Sequence, residues 1–371
     1  MEMRAFPPAT FLYAVESSED FLSRSTAGVI VVQGTEKRWE IKRAFDAKKL
    51  RVAKVDLGFG NGRTVPNQAE DARCVHRWWP SDSEPWGAIC LIHGFGDHGG
   101  RFRTMGNTLA SLGLAVLAID LIGHGRSPGR RGVIDSYEQL LNEVRISLEF
   151  TEASWPKIPK FLFGQSMGGN LVLNWLLRKD HAEANVKNNQ WASSHRLRGA
   201  IIGAPMLRTP RMPQERFMRA GRMLAEWFPN LRIHTPHQAE LLTRDRIAQD
   251  AYTRDKLVHR SMSLRLATNL IDSGTWALEN AHLLKTPTLL LHGSVDRLTC
   301  PKATEEFADR AGGIARFIAC EGCRHDLTQE PQREWLFEMA ANWAKQQCIR
   351  SWTFPANSQP TPASRKAKQS A

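Results

Sequence analysis

The sequence has no long hydrophobic run: its longest apolar stretch, residues 112–119, stops at Asp120, far short of the roughly 18–20 residues a membrane-spanning helix requires. No bilayer-crossing helix is expected. Export is not expected either, because one Arg, the Phe6-Pro7-Pro8 break and a short apolar patch at residues 11–15 lead to no small-residue cleavage site. Six cysteines among 371 residues are too dilute for a disulfide framework, so free thiols and a cytoplasmic location are expected. The 42% hydrophobic and 24% charged content excludes a disordered, collagen-like or coiled-coil chain. What remains is a globular protein long enough to bury about three quarters of its unfolded surface.

An excess of one charge sign is present but scattered. Of the formal +12, the terminal stretch 349–371 supplies +4 through Arg350, Arg365, Lys366 and Lys368, and residues 1–70 supply +2. No zinc-finger spacing and no basic-aromatic RNA-binding signature accompanies it, so nucleic acid is not expected as a partner.

From residue 87 onward, short apolar runs of strand length alternate with helical patterns. The runs cover residues 88–92, 114–119, 160–163, 199–202, 288–291 and 315–319. Continuous apolar runs are the mark of strands buried on both faces, so an α/β fold with a mostly parallel sheet flanked by helices follows. A final helix near Pro331 is expected to bury Trp335, Leu336, Met339 and Trp343 along one face. Two stretches break the rhythm. Residues 207–269 read as an inserted helical cap, with Phe217, Leu224, Phe228 and Leu231 on one helical face and Arg216, Arg219 and Arg222 on the other. The simplest expectation is that the apolar face is the buried one. Residues 1–65, including the run at 28–33, match no part of the alternation and form a segment of unknown role. The core domain is expected over 66–348, and residues 349–371, rich in Pro and cations, read as a disordered tail.

Gly164-Gln165-Ser166-Met167-Gly168 follows one of these strands and precedes an apolar helix. A strand, sharp turn and helix expose Ser166 at the top of the sheet, where the Met167 N–H, at a helix N-terminus, can stabilise an oxyanion. The pattern alone is weak, since a chain of this length matches it by chance roughly once in ten tries. Gly125-Arg126-Ser127-Pro128-Gly129 matches it too, but Pro128 has no N–H to offer an oxyanion. Ser127 is therefore expected to be structural. Three further loops follow strands: His93-Gly94-Phe95-Gly96-Asp97-His98, which offers the Phe95 N–H as second oxyanion donor; His292-Gly293-Ser294-Val295-Asp296; and Gly322-Cys323-Arg324-His325. Ser166, Asp296 and His325 stand in the chain order of an α/β-hydrolase triad, at one edge of a parallel sheet. His124, Asp97 and His98 are expected to shape loops. Cys320 and Cys323 have no second pair to complete a metal site, and no metal or cofactor is required by this chemistry.

Over residues 70–347 the chain resembles the monoacylglycerol lipase and lysophospholipase group of serine α/β-hydrolases, often labelled serine aminopeptidase-like. The residues carrying the resemblance are those of 93–102, Asp120-Leu121-Ile122-Gly123-His124-Gly125-Arg126-Ser127, 164–169, Ala204-Pro205-Met206, Tyr252-Thr253-Arg254-Asp255-Lys256-Leu257, and the Asp296 and His325 loops. The resemblance implies an α/β-hydrolase fold with its cap inserted after the sixth strand of that fold, the 199–202 run. It implies that Arg101 supports the oxyanion loop and that Tyr252 reaches the head group from the cap. Gln165 stands where the family often has His, and Lys256 where the cap motif usually has Pro; both departures are expected near the head-group pocket. The expected function is hydrolysis of single-chain lipid esters through an acyl-enzyme, with peripheral contact to an anionic membrane surface. Amide or peptide hydrolysis and a catalytically silent scaffold are the alternatives.

Overall fold

The computed structural model describes residues 73–183, 197–235 and 239–350, together with strand segments 25–35, 38–43 and 53–55. The strands are β1 (Ser25–Thr35), β2 (Arg38–Arg43), β3 (Ala53–Val55), β4 (Arg73–Pro80), β5 (Gly87–Ile92), β6 (Leu114–Ile119), β7 (Lys160–Gln165), β8 (Leu197–Gly203), β9 (Arg232–His234), β10 (Ser261–Ser263), β11 (Thr288–Gly293) and β12 (Ala315–Cys320). The helices are α1 (Arg103–Ser111), α2 (Tyr137–Ser154), α3 (Met167–Glu183), α4 (Glu215–Trp227), α5 (Ala239–Leu242), α6 (Arg246–Arg254), α7 (Leu264–Glu279), α8 (Pro301–Ala311) and α9 (Arg333–Arg350).

One sheet organises the molecule, in the order β12-β11-β8-β7-β5-β6-β4-β1-β2-β3. The six strands from β12 to β6 in that order run parallel, and β4 joins β6 antiparallel. Every residue of β5, β6, β7 and β11 is buried. Successive residues feed two separate cores, as the pleat requires: Cys90, Ile92 and Leu162 pack with residues of α2, α3, α7 and α8, while Ile89, Leu91 and Phe161 pack with residues of α1 and α9. The parallel α/β architecture expected from the uninterrupted apolar runs is thus present.

Three features depart from expectation. The run at 315–319 becomes β12, which is only partly buried because it is the sheet's edge strand. In α9, Leu336, Phe337, Ala340, Ala341 and Ala344 face the core with Trp343, whereas Trp335 points outward at 55% exposure. The segment at 25–35, which stands outside the βα alternation, pairs antiparallel along β4 and extends the sheet through β2 and β3. An antiparallel ribbon follows no strand–helix rhythm, so a search for that rhythm passes over it. The residues 349–371 expected to form a tail lie, apart from the end of α9, outside the described residues.

The cap lies between β8 and β11 and is not wholly helical: β9 and β10 form a short antiparallel pair beside α4, α5 and α6. Residues 207–269 end inside α7, whose later turns bury Leu270, Ala277 and Leu278 in the core. The apolar face of α4 is not buried. Met218 and Ala225 are its buried residues, while Phe217 is 60%, Trp227 76% and Phe228 56% exposed, with Leu224 and Leu231 also exposed. No described helix is long and apolar enough to cross a membrane.

Candidate active site

Ser166 sits at the turn between β7 and α3 with φ of 57°, a left-handed conformation that a non-glycine residue adopts at a cost of about 1–3 kcal/mol. The turn is held by Ser166 N–H donating to Gly203 O at 2.9 Å and by Met206 N–H donating to Ser166 O at 3.0 Å. A Cβ on Gly168 would strike the Ile92 carbonyl, so only glycine lets α3 approach β5 closely enough to make the turn. Met167 opens α3, so its N–H belongs to the first turn, whose donors have no intrahelical acceptor.

The three residues expected to act together meet. His325 Nε2 lies 2.8 Å from Ser166 Oγ, and His325 Nδ1 lies 2.7 Å from Asp296 Oδ2. Asp296 being a carboxylate acceptor, Nδ1 carries the proton and Nε2 is left to accept from the Ser166 hydroxyl. Burial raises the Asp296 carboxyl, but His325 and His292 outweigh it and hold the group well below the usual carboxylate range. Burial depresses His325, yet the Asp296 charge and hydrogen bond outweigh it and leave the imidazole above its ordinary value. A hydroxyl, a neutral base and an ionised carboxylate in this chain can carry out nucleophilic attack with proton transfer.

Two members of the site went unseen in the sequence. His292 donates from Nε2 to Asp296 Oδ2 at 3.0 Å, and Thr299 donates from Oγ1 to the same oxygen at 2.8 Å. His292 stands four residues before Asp296 in a strand-end motif, a spacing that could have flagged it. Thr299 carries no sequence signal.

The loop at residues 93–98 is anchored on both sides. His93 Nδ1 donates to Gly94 O at 2.8 Å, and its Nε2 accepts from Leu121 N–H at 2.9 Å; burial lowers its pKa to about 4. Arg101 pairs with Asp97 at 2.8 Å, and its guanidinium lies 4.8 Å from the Tyr252 ring centroid. His98 Nε2 and Asp255 Oδ2, 2.8 Å apart, link this loop to the end of α6 in the cap. Phe95 packs edge-on to His124 and His259.

Gln165 is buried beneath the site. Its Nε2 donates to the His325 carbonyl at 2.8 Å, and a Cβ on Gly203 would strike its Oε1. Expected near the head-group pocket, it instead grips the histidine loop, because alternate residues of a strand point to opposite faces and only Ser166 lies in the turn. Tyr252, expected to reach the head group, is buried under Arg101 with Ala239 and Leu242.

Ser127 Oγ accepts from Cys74 N–H at 3.0 Å, and His124 Nδ1 lies 3.0 Å from Ile122 O; both tie loops to the frame. Cys320 and Cys323 are free thiols, with burial pushing Cys320 up to about 12. Among the described residues, Cys74, His76 and Asp120 offer metal-type ligand atoms within 4.8 Å of one another. Asp120 already accepts from His76, Gly99 N–H and Arg126 N–H, and burial pushes the Cys74 thiol far above its ordinary value. That donor set is a loop anchor and fits a cation poorly.

Residues 83–332 match the protein family described as serine aminopeptidase, S33. An abhydrolase domain-containing protein of Dictyostelium discoideum is 29% identical over 73% of this chain, which spans 27% of that relative's length. The monoacylglycerol lipase of Mycolicibacterium smegmatis is 25% identical over 73% of this chain and 92% of its own. The crystal structure of Paleococcus ferrophilus monoacylglycerol lipase superposes with a TM-score of 0.61 at 25% identity, covering 74% of this chain and 98% of that one.

Proposed function

The chain belongs to the serine aminopeptidase S33 family of α/β-hydrolases, and from that premise we propose that it hydrolyses single-chain lipid esters, monoacylglycerols or lysophospholipids, through Ser166, His325 and Asp296. The observation that carries this reading is the unbroken hydrogen-bonded chain of 2.8 and 2.7 Å from the Ser166 hydroxyl to Asp296. His325 removes the hydroxyl proton as Ser166 Oγ attacks the ester carbonyl. The Phe95 and Met167 N–H groups receive the oxyanion, each contributing about 3 kcal/mol to the lowered barrier. Collapse of the tetrahedral adduct releases the alcohol, protonated by His325, and leaves an acyl-Ser166. Water, activated by the same imidazole, then releases the fatty acid.

The solvent-facing apolar side of α4 supports a lipid surface as the setting. Exposed Phe217, Met223, Leu224, Trp227 and Phe228 form a patch that a soluble protein rarely leaves uncovered. Arg219 and Arg222 are engaged by Glu215 and Asp272, so the apolar side chains, more than the cations, would hold the surface.

Ser166→Ala should abolish both hydrolysis of p-nitrophenyl esters and labelling by a fluorophosphonate probe. Activity persisting in that variant would remove the assignment. Turnover of aminoacyl anilides faster than of esters would move the reading to amide hydrolysis.

A further inference from the structure

The Asp296 carboxylate is surrounded by more donors than a triad needs. Oδ1 accepts from Leu298 N–H at 2.7 Å and Thr299 N–H at 3.1 Å. Oδ2 accepts from His325 Nδ1 at 2.7 Å, Thr299 Oγ1 at 2.8 Å and His292 Nε2 at 3.0 Å. Two imidazoles therefore converge on one oxygen.

The orientation of His292 follows from its partners. A carboxylate oxygen only accepts, so Nε2 carries a proton, and Nδ1 lies 2.7 Å from Thr304 Oγ1 on α8, within hydrogen-bond distance of that hydroxyl. The imidazole is fully buried, engaged at both nitrogens, and fixed by a helix that takes no other part in the site. Removing a buried charge-directed donor leaves the carboxylate richer in charge, and its remaining partners then bind it more tightly. The other groups facing this cluster are Asp326 in the His325 loop, with Arg101 beside it, and the Cys320 thiol of β12.

We propose that His292 is a positioning residue for hydrolysis: a second imidazole that orients the Asp296 carboxylate and tempers its hold on His325. The proposal rests on the triad reading given above. By sharing Oδ2, His292 limits how strongly the ionised Asp296 favours the imidazolium form of His325, and so keeps the base unprotonated over a wider range of pH. Thr304 acts one bond further out by holding the His292 ring.

The test is the pH dependence of kcat/KM on a soluble p-nitrophenyl ester. His292→Leu, which removes the donor, should move the acid limb upward by about half a pH unit, the size expected when part of one hydrogen bond to a charged group is transferred to its neighbour. His292→Gln, which retains an N–H donor, should keep the limb near that of the unaltered protein. Thr304→Val should shift it in the same direction as His292→Leu, by less. Folded His292→Leu and Thr304→Val proteins with unmoved acid limbs would overturn the proposal and leave His292 a packing residue. If His292→Leu does not fold, Thr304→Val decides alone. Fluorophosphonate labelling persisting in Ser166→Ala would instead overturn the triad reading, so the two failures are distinct.

Discussion

At the scale of single residues, the site depends on which form of His325 predominates. The imidazole must be neutral to accept the Ser166 proton, and Asp296 raises it above its ordinary value against the opposing pull of burial. Hydrolysis should therefore fall as pH drops through a value above about 6.5, the ordinary imidazole pKa. A kcat/KM profile with its acid limb below that value would contradict the direction. The same raised value means that the His325–Asp296 pair stabilises the fold fully below the unfolded imidazole pKa, and that this contribution is lost as pH rises through the folded one. Stability and activity thus respond to this histidine in opposite senses. Gln165 acts on the same residue through the backbone, by its 2.8 Å bond to the His325 carbonyl. Gln165→Leu should lower kcat by about three- to tenfold, the equivalent of one ordinary hydrogen bond, with KM little changed. A rise in KM with kcat intact would return Gln165 to the head-group pocket.

At the scale of elements, what could be read depended on burial. Strands β5, β6, β7 and β11 are buried throughout and carry uninterrupted apolar runs because both faces meet helices, and that made them legible as parallel strands. Ser166, Asp296 and His325 were legible for a related reason: each follows a strand of the parallel sheet, so order along the chain translates into place along one sheet edge. Where an element has one open side the pattern misleads, as with Trp335 on α9 and the apolar face of α4. A helical period states which residues share a face, and is silent on whether that face meets protein or something else. Thr299 escaped notice because its role is made by its distance to one carboxylate oxygen, whereas His292 left a signal in its four-residue spacing from Asp296. For α4 the open face gives a prediction. Replacing Phe217, Trp227 and Phe228 by Ser should strongly reduce co-sedimentation with phospholipid vesicles while leaving turnover of a soluble ester unchanged. Equal sedimentation of the two proteins would remove the lipid-surface reading.

At the scale of the whole molecule, the three hydrogen-bonded residues of the candidate site belong to no single element. Ser166 follows β7, Asp296 follows β11 and His325 follows β12, while Gly203 at the end of β8 accepts the Ser166 N–H. Ala204 N–H donates to Leu291 O at 2.8 Å, and Ser294 N–H to Cys320 O at 3.0 Å, so each strand end is stitched to the next. The N-terminal ribbon lies beyond β4, at the other side of the sheet, and it was unreadable as part of the fold because its pairing is antiparallel and falls outside the strand–helix alternation. The stitching of the strand ends has a thermal consequence. A site shared among four strand ends cannot soften piecemeal, so the loss of soluble-ester turnover on heating should superimpose on the loss of near-ultraviolet circular dichroism. Inactivation well below the spectroscopic midpoint would show that the loops melt ahead of the sheet that carries them.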